Sequence, residues 1–158
     1  MAVFRPRLLQ HRTDLVETSR GEYYLGVIEV RQSKLLQGLP ESELRSIEKQ
    51  MRTVEHPAGR EIVMKGENGV GFMIILDGTV TVATIQGKSR KLGPGDSFGE
   101  MALLDHEGRS ATIKADTDVS LATIPEWGFK PFLKEQPEFA YRLLQVLSQR
   151  VRQAESNR

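Results

Sequence analysis

The chain has 158 residues, 39% of them hydrophobic and 27% charged, with a net charge of +1 and no cysteine. That composition fits one soluble globular domain with its own core, and it excludes a disordered protein, a disulfide framework and a thiolate metal site. A charge so near neutral supplies no bulk attraction for nucleic acid or an acidic membrane.

No apolar run approaches the roughly 18–20 residues that a membrane span needs. The N-terminal MAVFRPRLLQHR is basic, with no apolar core segment and no small-residue cleavage site. A signal peptide is therefore not expected, and the cytoplasm is the default compartment. Residues 1–18 are taken as a tail.

Residues 19–56 predict a helical block. Ser19 and Glu22 fit a capping box, and Tyr23, Tyr24, Val27 and Ile28 follow at helical spacing, with a strand as the competing assignment for residues 23–30. Pro40 then suits the first turn of a helix. Glu41 and Glu43 follow it, and Leu44, Ile47 and Met51 recur at three and four.

From residue 57 to 125 the pattern changes to short β-branched segments: EIVMKG, GFMIIL, GTVTVATI, KSRKLG, SATIKA and VSLATI. Asp77-Gly78 predicts a tight hairpin turn, because such a turn needs positive φ, and Gly93-Pro94-Gly95-Asp96 predicts another turn. Several short strands at close spacing predict an antiparallel β-roll, jelly-roll-like, and the absence of βαβ alternation excludes a Rossmann-type domain. GENGVG lies between strands and is read as a turn, not as a phosphate loop.

Residues 126–155 return to helix. Pro131 falls inside the short helix expected over 126–134 and should break or shorten it. Pro137 and Glu138 start the last helix, where Phe139, Leu143, Leu144, Leu147 and Val151 form one apolar stripe expected to pack on the core. The predicted fold class is thus mainly β with flanking helices (α+β): N-terminal helices, an antiparallel β-roll and C-terminal lid helices. No internal repeat or low-complexity tract is present.

The chemistry concentrates in GDSFGEMALLDHEGRSATIKA. Glu100 interrupts an apolar run of Phe98, Met101, Ala102, Leu103 and Leu104, and nine residues later Arg109 stands beside Ser110, Ala111 and Thr112. Gly99 can bring the backbone close to a ligand. The N–H groups of a first helical turn suit an anion. Arg109 offers a planar fork of donors that matches phosphate oxygens, and Ser110 adds a hydroxyl. Glu100 offers acceptors for hydroxyl groups such as a ribose 2′-OH. A phosphate cradle beside a ribose acceptor describes a nucleotide. As a bare ion pair, Glu100 and Arg109 would carry a desolvation cost of about several kcal/mol per ion that their attraction need not repay.

FGEMALL followed by GRSAT resembles the phosphate-binding cassette of cyclic-nucleotide-binding domains, and the Glu-to-Arg spacing matches the kinase-type cassette. GENGVGFMIILDGTVTV is similar to the family's central hairpin, and the stretch from Leu35 into EIV is similar to the helix and first strand that precede it. The likeness extends over about residues 19–155.

The resemblance implies that Glu100 accepts from the ribose 2′-OH and that Arg109 pairs with the cyclic phosphate. Backbone N–H groups near Gly99 and Ala102, with Ser110, would complete the cradle in a cassette over 98–112. Phe98, Met101 and Thr112 are further candidate contacts, and the final helix, with Arg150, would cover the base. Gly108 stands where the family usually has proline, which leaves the loop less rigid. Serine at position 110 is common in bacterial cAMP binders, so cAMP is expected over cGMP, with no separate cofactor.

The same resemblance implies a regulatory module that passes its signal to an effector outside the chain. A membrane channel pore is one candidate, since the stretch from Ser19 resembles the linker of bacterial cyclic-nucleotide-regulated potassium channels. The sensor part of a transcription regulator without its DNA-binding module is the rival. No direct nucleic-acid contact is expected, and self-association is not indicated.

Catalysis finds no support in the sequence. His11, His56 and His106 are widely spread, and there is no nucleophile elbow or Ser/His/Asp set. A cupin-like metalloenzyme, detectable by stoichiometric metal, and a β-roll scaffold with a vestigial cassette remain the alternatives from other classes.

Overall fold

The segment Gly71–Asp77 is apolar almost throughout because both of its faces are covered. In the computed structural model of the chain, which describes residues 15–17, 23–25, 30–63, 71–84, 87–107 and 111–157, Phe72, Ile74 and Leu76 pack in one core. Met73 and Ile75 pack in another. The period-two alternation of a strand thus divides one run between two clusters.

The elements are β1 (Leu15–Glu17), β2 (Tyr23–Leu25), α1 (Glu41–Gln50), β3 (Arg52–His56), β4 (Glu61–Val63), β5 (Gly71–Asp77), β6 (Val80–Thr84), β7 (Ser89–Leu92), β8 (Ser97–Phe98), α2 (Glu100–Asp105), β9 (Ala111–Ala115), β10 (Val119–Pro125), α3 (Glu126–Glu135) and α4 (Pro137–Ser156). Two four-stranded sheets carry the orders β3-β10-β5-β8 and β4-β9-β6-β7, and β1 pairs with β2 separately. All pairings are antiparallel. From β3 to β10, every connection except β6 to β7 crosses between the two sheets, which is the winding of a jelly roll.

Several sequence-based expectations are corrected. Tyr23–Leu25 is a strand paired with Leu15–Glu17, not the start of a helix. Consecutive tyrosines favour an extended chain once a partner strand is available. The capping motif at Ser19–Glu22 falls largely on residues 18–22, outside the described residues, as do Val27, Ile28 and residues 64–70 of the GENGVG segment. Arg52–His56, inside the block read as helical, is an edge strand on β10.

Asp77-Gly78 forms a turn, with Gly78 at φ +83°, but not a hairpin: β5 and β6 lie in different sheets. The turn nests against the β9–β10 corner. A Cβ on Gly78 would stand 2.3 Å from the Asp118 carbonyl oxygen. Ser97–Phe98, not foreseen, adds a short edge strand to β5.

Pro131 lies within α3 without ending it. The carbonyl it leaves without an amide partner belongs to Trp127, a residue 77% exposed, where water can substitute. On α4 the apolar stripe divides: Phe139 and Leu143 are buried, Leu147 packs at the margin, and Leu144 and Val151 are exposed.

The helices cover the outer face of the β3-β10-β5-β8 sheet. Phe72 stacks on Phe129 at 5.4 Å, and Phe139 meets Phe72 and Phe132 edge-on at 5.7 and 4.8 Å. Such pairs add about 0.5–1.5 kcal/mol each to burial. The inner cluster, from Val63 through Val80, Ile113 and Leu121, fills the roll. Between β7 and β8, Asp96 Oδ2 accepts from the Gly93 amide at 2.9 Å, and the Asp96 amide donates to the Gly93 carbonyl at 3.0 Å. Lys34 ties this turn to the N-terminal segment through an ion pair with Asp96. The chain therefore enters Phe98 and Gly99 from a fixed point.

Candidate functional site

A row of side chains crosses the inner face of the β4-β9-β6-β7 sheet. Val63 pairs in register with Ile113, Ile113 with Val82, and Val82 with Arg90. All four line a cavity that is partly open to solvent. Three β-branched residues make a flat apolar floor, and a guanidinium stands at its end on the edge strand β7.

The facing wall is the start of the cassette: Phe98, Gly99, Glu100, Met101 and Ala102. Gly99 takes φ +97°, a left-handed conformation that glycine adopts without Cβ strain. The turn aims Glu100 inward, while α2 carries Met101 and Leu104 toward solvent. α2 ends at His106, which has φ +59° and whose amide donates to the Ala102 carbonyl at 3.1 Å.

Glu100 is 2% exposed. Its Oε1 accepts from Arg150 Nη1 of α4, and Arg150 Nη2 donates to the Ser97 carbonyl at 3.0 Å. Its Oε2 is buried with no hydrogen-bond partner among the described residues. A buried carboxylate oxygen left unpaired costs on the order of 1–3 kcal/mol or more, so a donor that enters the cavity is stabilised there.

The predicted site residues thus converge in large part. Phe98, Gly99, Glu100, Met101, Ala102 and Arg150 all line the cavity. Arg109 and Ser110 lie outside the described residues. Thr112 does not line it: Ala111 and Ile113 face the inner core, so alternation along β9 turns Thr112 to the other side. Arg150 reaches the carboxylate and not only the lid position expected of it.

Sequence reasoning missed Arg90. The signal was present, since period two in KSRKLG places Arg90 on the face of Leu92, which is 8% exposed and part of the inner core. Arg90 keeps access to water at the mouth, yet its pKa is lowered, first by burial and then by the neighbouring Arg150. Glu100 and Asp96 act in the opposite direction.

Among the described residues no group of three histidine, cysteine, aspartate or glutamate side chains could hold a metal ion. No described helix is long and apolar enough to cross a membrane.

A β-roll whose glycine-led cassette presents a buried acid to a small cavity, lined on one side by Arg150 of the C-terminal helix, is a ligand-binding architecture. Residues 53–136, more than half of the chain, match the cyclic nucleotide-binding domain family, and the chain belongs to that family.

Among its relatives, the CRP-like cAMP-activated global transcriptional regulator of Mycobacterium tuberculosis is 27% identical over 128 residues, covering 78% of this chain and 57% of the regulator. A cyclic nucleotide-gated potassium channel of Mesorhizobium japonicum is 37% identical over 124 residues, covering 78% of this chain and 34% of the channel. The crystal structure of the Thermus thermophilus catabolite activator protein superposes with a TM-score of 0.71 at 30% identity, covering 79% of this chain and 61% of that one. The chain thus spans between about a third and three fifths of the length of these relatives.

Proposed function

We propose that this chain is a regulatory sensor that binds a 3′,5′-cyclic purine nucleotide in the β-roll and transmits the event through α4. The observation that carries the proposal is Glu100, with one oxygen on Arg150 and the other buried without a donor among the described residues. A ribose 2′-hydroxyl supplies that donor. The carboxylate can then hold ligand and lid helix at once, so ligand binding strengthens the α4 contact without competing with it. The shift in lid population is set by the difference in ligand affinity between the lid-on and lid-off states.

Arg109 and Ser110 are assigned to the cyclic phosphate on the strength of the cassette pattern, with backbone N–H groups around Gly99 and Ala102. Ser110 and the cAMP-activated regulator among the relatives favour cAMP. The output goes to an effector, for which the relatives offer a channel pore and a transcription regulator. The reading contains no catalytic step, and the cytoplasm, or the cytoplasmic face of a membrane, is the proposed location.

Titration calorimetry with cAMP, cGMP and 5′-AMP tests this. Micromolar or tighter binding of a cyclic nucleotide, with 5′-AMP much weaker, is the expected result. Absence of heat with all three, at several temperatures and with nucleotide-free protein, would overturn it and leave a partner-binding scaffold as the function.

A further inference from the structure

We infer that the outward face of α3 docks on an anionic membrane surface, with Trp127 seated among the headgroups and Lys130 and Lys134 against lipid phosphates. The inference stands apart from the nucleotide reading, since α3 contributes no residue to the cavity lining.

α3 spans Glu126–Glu135 and has two unlike faces. Phe129 and Phe132 are buried on one of them, where Phe129 stacks on Phe72 and Phe132 meets Phe139 edge-on. At about 100° per residue, Trp127, Lys130, Pro131 and Lys134 fall within one arc of about 100° on the side away from those rings. All four are exposed. Glu126 and Glu135 flank that arc on either side. The outward face is therefore an indole, a proline ring and two cations, without a carboxylate, held on a base that the phenylalanine contacts fix.

Trp127 is 77% exposed, more than any other large hydrophobic side chain among the described residues. A single exposed aromatic needs no partner. This one is distinguished by the residues on its side of the helix. An apolar ring system with one N–H donor suits the layer between water and acyl chains, where one end of the side chain is dry and the other wet. Lys130 and Lys134 follow three and seven residues later. Each lysine close to an anionic surface strengthens attachment about fivefold. The attraction is local, so the net charge of +1 on the whole chain neither supplies nor prevents it.

Pro131 separates a membrane from a dry protein interface. It has no amide hydrogen, so the Trp127 carbonyl lacks its helical partner. A protein packed over Trp127 would strand that carbonyl unless it brought a matching donor. The hydrated headgroup layer supplies water instead. A bland role exists for Lys134, which lies in the last turn of α3 and offsets the negative end of the helix dipole. That role needs neither Trp127 nor a lipid.

Trp127 is the only tryptophan of the chain, so its fluorescence reports on this face alone. The test is emission and co-sedimentation of the full chain with vesicles of phosphatidylcholine, and with vesicles in which phosphatidylglycerol replaces half of it. A shift of emission to shorter wavelength and co-sedimentation are expected with the anionic vesicles, and both are expected to reverse at high salt. The double variant Lys130→Gln/Lys134→Gln is expected to weaken co-sedimentation roughly tenfold or more. Trp127→Ser, followed by co-sedimentation, is expected to weaken it roughly tenfold. The substituted side chains are exposed, and circular dichroism checks that both variants fold. Equal binding to the two kinds of vesicle, or variants that bind as the unsubstituted chain does, overturns the inference. So does co-sedimentation that leaves the Trp127 emission unshifted, which places the contact on another surface. Failure to bind either vesicle also overturns it, and self-association that Trp127→Ser abolishes would then assign the face to a second copy of the chain.

Discussion

Glu100 and Arg150, fifty residues apart in the chain, meet at the mouth of the β-roll cavity, where Arg150 takes one carboxylate oxygen of Glu100 and the other has no partner among the described residues. One ion pair thus ties the cassette to α4. Any donor that reaches Oε2 is coupled to the position of α4 through two bonds.

The ribose assignment predicts a ligand-dependent effect of Glu100→Ala. The unsubstituted chain is expected to lose about 1.5–3 kcal/mol of binding when cAMP is replaced by its 2′-deoxy analogue, the scale of a hydrogen bond to a charged group. In the variant the two ligands are expected to bind alike. A variant that still prefers the 2′-hydroxyl would remove Glu100 from the ribose contact, and circular dichroism checks that the fold survives.

Arg109→Ala is expected to weaken cyclic-nucleotide binding by at least about 1.5–3 kcal/mol, since a charge-assisted bond to the phosphate is lost. Thermal stability without ligand is expected to hold. Unchanged affinity would contradict the phosphate role.

Deleting residues 148–158 removes Arg150 but keeps Phe139 and Leu143, the buried residues of α4. The shortened chain should fold and should lose affinity for cAMP more than for a ribose 3′,5′-cyclic phosphate that carries no base. Equal cAMP affinity for the long and short forms rules out a lid.

Gly78→Ala should destabilise the fold at the β5–β6 crossover. Left-handed strain costs about 1–2 kcal/mol for a residue with a Cβ. The new Cβ would also stand 2.3 Å from the Asp118 carbonyl oxygen and 2.7 Å from a Val119 methyl. Denaturant midpoints of the two proteins measure the sum, and equal midpoints would show that the turn relaxes freely.

His56 imposes a pH dependence. Burial, and secondarily Arg60, lower its pKa below the ordinary 6.5. The unfolded chain therefore takes up the proton first as pH falls. Its contribution to stability is full above about pH 6.5 and declines as pH drops through that value toward the lower folded pKa. Urea midpoints at pH 7.5 and 5.5 should differ less for His56→Gln than for the unsubstituted chain. An identical difference would assign the pH dependence elsewhere.

Apart from Ser97–Phe98, the strands from Glu61 to Pro125 were legible because β-branched runs and glycine turns are local signals. α1 was legible from Leu44 and Ile47, and α4 from Pro137 and Phe139. The pair Tyr23-Tyr24 was not, since its conformation depends on a partner at Leu15–Glu17. The exposure of Leu144 and Val151 was not legible either. A leucine stripe records which side of a helix is apolar, but how far along that side the core extends depends on where the sheet stops.

By itself, the amino-acid sequence determined the local parts: a glycine at 99 that aims an acid inward, an acid at 100 inside an apolar run, and strands of the right length to make a roll. These depend on φ preferences and on the cost of burying charge, which act over a few residues. Only the tertiary structure decided that Asp77-Gly78 leads into the opposite sheet. It also decided that Arg150 reaches Glu100 and that Arg90 shares a row with Val63, Ile113 and Val82. Those relations arise from strand register and sheet closure, which bring together residues whose separation along the chain carries no trace of their meeting.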